Sequence, residues 1–132
     1  MKLLIIGHPH SGKTQLAKDL SQITKIEFIS YYPLLSVNPD VDPNSLIYIL
    51  TNNKVSYILD DFPMDKVDFD TLIYLTSLNH QRPHYLNQLK EKLTVLEISS
   101  AYGKADILSQ TLLGLYKLDF PVITKYVDTI KN

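Results

Sequence analysis

The chain of 132 residues contains no cysteine. Disulfides and thiolate zinc sites are therefore excluded. Arginine is almost absent as well: Arg82 stands alone, and every other Lys/Arg position is a lysine. Lysine carries its charge as a point and not as a planar fork, so bidentate grip on a phosphate or carboxylate is scarce here. A dominant charge sign is also missing, with 13 basic residues against 14 acidic ones. No strong field favours nucleic acid or an anionic membrane surface. Long hydrophobic runs are lacking too. The amino terminus offers one lysine and a short apolar run ending at Gly7, too short for a signal peptide or a membrane span. No repeat, low-complexity tract or linker interrupts the chain, and residues 1–132 suit a single domain with a sizeable core.

What the chain does have is Gly7-His8-Pro9-His10-Ser11-Gly12-Lys13-Thr14. The spacing is G-x-x-x-x-G-K-S/T, the P-loop. Its context fits: Lys2–Ile6 precedes it as an apolar strand, and Thr14–Thr24 follows with Leu16, Ala17, Leu20 and Ile23 at helical spacing. Gly7 and Gly12 let the backbone bend and approach phosphate oxygens closely. Successive N–H groups then face an anion at the positive end of the helix. Lys13 is expected to bridge the β- and γ-phosphates, and Thr14 to offer its hydroxyl to Mg²⁺. ATP and Mg²⁺ are thus the expected ligands, bound by residues 7–15, from Gly7 to Gln15. An ATP site argues for the cytoplasm.

The rest of the chain alternates strands and helices. Strands are expected at Lys25–Ile29, Val55–Leu59, Thr71–Thr76 and Thr94–Ile98. A short helical turn and loop fill residues 30–42. Asp42 caps a helix that Pro43 starts. Further helices are expected over Pro83–Leu93, Ala105–Leu118 and Pro121–Ile130, with a polar connector at Asn79–Pro83. This order predicts an α/β, three-layer P-loop NTPase fold: a five-stranded parallel sheet with helices on both faces. Ligand then sits at the carboxyl ends of the strands, near the P-loop, Asp60 and the connector.

Asp60 closes an apolar strand, where an acid in a P-loop protein holds Mg²⁺ through water. Asp61 reads equally as an outer ligand or as a solvated turn residue. Ile58-Leu59-Asp60-Asp61-Phe62-Pro63 resembles the L-D-G-F-P-R strand-end motif of adenylate kinases and related nucleoside monophosphate kinases. The order of parts is similar over roughly Met1–Pro63: P-loop, helix, a strand entering Ile29-Ser30, a proline-started helix, then this motif. The resemblance implies a P-loop kinase core and transfer of the γ-phosphoryl of ATP to an acceptor nucleotide or other small molecule. By position, Ser30–Leu35 and Phe62-Pro63 would face that acceptor.

Four departures qualify the resemblance. Asp61 replaces the motif's glycine, and Met64 its arginine. The lid shrinks to Asn79-His80-Gln81-Arg82-Pro83, and the acceptor region is short. A lid arginine alone is worth about 10³–10⁵ in rate. Arg82 is therefore the one candidate to join Lys13 and Asp60 in stabilising the transferring phosphoryl. Tyr102, after the fifth strand, is a candidate to stack on the base. His8 and His10 would gain protons more readily beside phosphate, although their loop positions tolerate many residue types facing solvent. His80 and His84 have a metal-ligand spacing, but Pro83 breaks the helix between them. A GTPase is excluded by the absence of D-x-x-G after the third strand. Two readings remain: a small ATP-dependent phosphotransferase, or a nucleotide-binding regulator that has lost transfer.

Overall fold

A computed structural model describes residues 1–131 of the chain. Among these residues there are five strands: β1 (Lys2–Gly7), β2 (Phe28–Ser30), β3 (Tyr57–Asp60), β4 (Thr71–Thr76) and β5 (Thr94–Ser99). Six helices separate or follow them: α1 (Lys13–Thr24), α2 (Tyr31–Val37), α3 (Pro43–Thr51), α4 (Tyr85–Lys90), α5 (Lys104–Lys117) and α6 (Pro121–Lys131). All strand pairs are parallel, in the order β2-β3-β1-β4-β5. The expected three-layer α/β architecture is therefore present.

The alternation of side chains along each strand builds the two faces. Leu3 and Ile5 of β1, Ile58 of β3, and Ile73 and Leu75 of β4 pack with Leu16, Ala17 and Leu20 of α1. Ile107 and Leu115 of α5 and Ile123 of α6 complete that layer. Leu4 and Ile6, Tyr57 and Leu59, and Leu72 and Tyr74 face the other way, onto Ile47 of α3 and Leu86 of α4. With both faces covered, β1 reads as a near-continuous apolar run.

Boundaries moved where backbone conformation overrode pattern. The strand expected at Lys25–Ile29 begins only at Phe28, because Lys25 takes a left-handed φ of 62° and closes α1 by bonding Ser21 O. Val55 is 85 % exposed and lies outside β3. The helix expected over Pro83–Leu93 shortens to Tyr85–Lys90. Its last turn tightens, with Lys92 and Leu93 both donating to Leu89 O. Asp42 caps α3 as expected, accepting from Ser45 N at 3.2 Å.

Candidate functional site

The P-loop runs from the end of β1 into the head of α1, between the carboxyl ends of the central strands. Its path needs residues that tolerate unusual backbone. Gly12 has φ 97° and His10 φ 65°, and Ser11 N closes the turn onto His8 O at 3.1 Å. At Gly7 the constraint is room: a Cβ there would lie 2.8 Å from Ser11 Oγ and 3.0 Å from Leu75 O. The first-turn amides of α1 have no partner inside the helix, as at any helix start.

Lys13 is buried, and its ammonium donates to Gly7 O at 2.9 Å and His8 O at 3.0 Å. It also lies 3.7 Å from Asp61 Oδ2. The ammonium is thus held by the loop's own carbonyls. Burial pushes the Asp61 carboxyl above its ordinary pKa, with Lys13 opposing and Asp60 adding to the rise. Asp61 has φ 64° and its N–H bonds Ile5 O at 2.9 Å. That left-handed turn explains the glycine of the resembled motif, and aspartate is among the few residues that tolerate it.

Asp60 is 2 % exposed, in register between Ile5 of β1 and Ser30 of β2. Its Oδ2 accepts from Thr14 Oγ1 at 2.6 Å and from Ser30 Oγ at 2.8 Å. Its Oδ1 is buried without a hydrogen-bond partner among the described residues. A hydroxyl touching a buried carboxylate with a spare oxygen, beside the P-loop, fits Mg²⁺. That ion takes few protein oxygens and keeps several waters. No cluster of three or more His, Asp or Glu side chains suited to a metal exists among the described residues, so a protein-only metal cage is absent.

Clefts surround this core. A mouth of about 300 Å³ is lined by His10, Gly12, Lys13, Thr14, Gln15 and Asp61. Beside it a cleft of about 210 Å³ lies between the P-loop, Gln15 and Asp19 of α1, the loop carrying Tyr102, and Lys104 at the head of α5. Gln15 donates to Asp19 Oδ1 at 2.9 Å. A groove of about 540 Å³ on the opposite side of Thr14 is lined by Lys18, Phe28, Ser30, Leu34 and Leu50. Of the positions expected to face an acceptor, Ser30, Pro33 and Leu34 line that groove, whereas Phe62 is buried in the core against Tyr31.

The structure gathers residues 7–15 and Asp60 at one place. Arg82 pairs with side chains of β5 and α4. The guanidinium holds both Glu97 carboxylate oxygens, through Nε to Oε1 and through Nη2 to Oε2 at 3.1 Å, and bonds Asn87 Oδ1 at 2.9 Å. No hydrogen bond or ion pair joins it to Lys13, Thr14 or Asp60 in the described structure. The connector instead presents His80, stacked on His8 with ring centroids 3.7 Å apart and planes inclined by 20°. The expectation that His8 faces solvent therefore gives way to a ring contact. Burial lowers the His8 pKa, and the charges of His80 and Lys13 add to the effect. Neither this stack nor the Lys13–Asp61 pair was signalled by local spacing, because each joins segments far apart in the chain.

No protein-family model matches the sequence, and no curated protein matches it. Solved structures match its shape. A shikimate kinase from Aquifex aeolicus superposes with a TM-score of 0.59 at 15 % identity, covering 89 % of this chain and 97 % of the other. A deoxyadenosine kinase from M. mycoides with bound dATP gives 0.60 at 12 % identity, covering 88 % and 100 %. A gluconokinase from Sinorhizobium meliloti gives 0.58 at 13 % identity, covering 89 % and 92 %. At these identities the likeness establishes the fold alone, which this chain shares with those three kinases.

Proposed function

We propose that the protein is an ATP- and Mg²⁺-dependent phosphotransferase, moving the γ-phosphoryl of ATP onto a nucleotide or another small acceptor. One observation carries this reading. The Thr14 hydroxyl lies 2.6 Å from the buried Asp60 carboxylate, directly under a P-loop at the head of a helix. Few arrangements other than a metal–polyphosphate site call for that combination.

Lys13 would leave the carbonyls of Gly7 and His8 for the β- and γ-phosphate oxygens, exchanging neutral acceptors for charged ones. The amides of residues 10–14 would hold the phosphate tail in line. Thr14 and Asp60 would hold Mg²⁺, which neutralises charge on the phosphates. The cleft beside Tyr102 suits the base, and the groove from Thr14 to Leu34 suits the acceptor. The kinases of similar shape are named for shikimate, deoxyadenosine and gluconate, so hydroxyl acceptors belong in the test beside nucleoside monophosphates. We place the protein in the cytoplasm, where ATP is plentiful. No described helix is long and apolar enough to cross a membrane.

A coupled assay with Mg·ATP and these acceptors checks the reading. Turnover with at least one is expected, and Lys13→Ala should lose it together with roughly a hundredfold in ATP affinity, the worth of about 3 kcal/mol of charged hydrogen bonds. A second reading, nucleotide binding without transfer, is favoured by the tie of Arg82 to Glu97. Calorimetric binding of Mg·ATP with no turnover on any acceptor would select it.

A further inference from the structure

The connector between β4 and α4 brings a different residue to the P-loop than the arginine it contains. Arg82 is taken up by Glu97 and Asn87. His80, two residues earlier, lies ring on ring against His8, the second residue of the loop. The His8 carbonyl is one of the two that grip the Lys13 ammonium. His80 thus leans on the segment that positions the phosphate-binding lysine. His8 Nε2 is buried with no hydrogen-bond partner among the described residues. His80 stays at the surface, its Nδ1 3.2 Å from Ser77 Oγ, a hydroxyl that can accept from the ring.

The charges around this stack set its behaviour. The groups acting on His8 are His80 from the connector and Lys13 from α1. Asp61, after β3, reaches the same corner through Lys13 at 3.7 Å. Burial, and the charges of His80 and Lys13 beside it, disfavour a proton on His8. A polyphosphate held by the loop of which His8 is the second residue would add negative charge on the near side of the stack and oppose that effect. The exposed ring is the one that can be charged at least desolvation cost.

We propose that His80 is a positioning residue for the nucleotide's terminal phosphate: seated on His8, it takes up one proton from solvent when the polyphosphate binds. It thereby supplies lid charge that Arg82 does not bring. The inference rests on the nucleotide reading above. No bond to phosphorus is involved; the ring gains a proton and the solvent loses one.

The test is calorimetric titration with Mg·ATP of the wild type, His80→Phe and His80→Gln, from about pH 6 to about pH 8. Each pH is run in two buffers of different ionisation enthalpy. Phenylalanine keeps a flat ring against His8 and cannot take a proton. The wild type should bind with net proton uptake and roughly tenfold more tightly near pH 6 than near pH 8, as linkage to one proton allows. Both variants should lose the uptake, and their deficit should widen toward pH 6. The wild-type uptake is readable even if a variant fails to fold. Binding with no uptake by the wild type overturns the inference and leaves the phosphate site standing. So does a His80→Phe profile that follows the wild type. No binding at millimolar Mg·ATP at any pH overturns both.

Discussion

Around the P-loop the backbone decides which residue can stand where. Gly7 is required by room, because the atoms a Cβ would strike include the Leu75 carbonyl oxygen, which is backbone and cannot swing aside. Gly7→Ala should therefore cost about 1–3 kcal/mol by overpacking, read as a lower midpoint in urea unfolding. Unchanged stability would mean the loop is looser than the structure shows. Asp61 makes the complementary case: its φ of 64° suits glycine, but aspartate fits and gains an ion pair to Lys13. From sequence alone the role of Asp61 divides between outer ligand and solvated turn. The structure adds a partner that local spacing did not signal, Lys13, which comes from another element. By contrast, the closeness of Thr14 and Asp60 follows from the motif, since parallel strands deliver both to one edge.

At the scale of elements, Glu97 ties three together. It sits on β5 and holds Arg82 of the connector and Lys90 of α4. The hydrogen bonds from Arg82 pull the Glu97 pKa below its ordinary value; burial opposes, and Lys90 adds to the fall. A carboxyl depressed in the folded state lends stability above its ordinary pKa of 4.5 and loses it as pH falls through the folded value. Glu97→Gln should therefore cost about 1 kcal/mol in denaturant unfolding at neutral pH and nothing in strong acid, where the wild type has lost the same contribution. An equal deficit at both pH values would assign the loss to packing. The elements tied here were legible in sequence, although the helix expected to begin at Pro83 starts only at Tyr85. The tie was not, because a glutamate in mid-strand carries no local sign of its partner.

For the molecule as a whole, nucleotide binding should appear as stability. A ligand that binds only the folded state, held at a hundredfold excess over its Kd, adds about 2.7 kcal/mol. In a domain of 132 residues that amounts to a rise of several degrees in Tm. Thermal scans with ATP should show the rise with Mg²⁺, and Asp60→Asn should remove the part that depends on the ion. A magnesium effect that survives the substitution would take Asp60 out of the site. The shape shared with sugar-acid, shikimate and deoxynucleoside kinases at 12–15 % identity shows how little sequence this architecture demands. Alternating apolar strands and amphipathic helices suffice for it.

The sequence by itself determined the layers, the parallel sheet and the phosphate loop, because these rest on short-range periodicity and on motifs whose residues are neighbours in the chain. Only the tertiary structure decided what the lone arginine, the paired histidines and the loop lysine do. Arg82 goes to Glu97, His80 to His8 and Lys13 to the carbonyls of its own loop. Most of those partners are assigned by which strand ends and connectors the fold brings side by side, and pairing across such distances leaves no trace in local spacing.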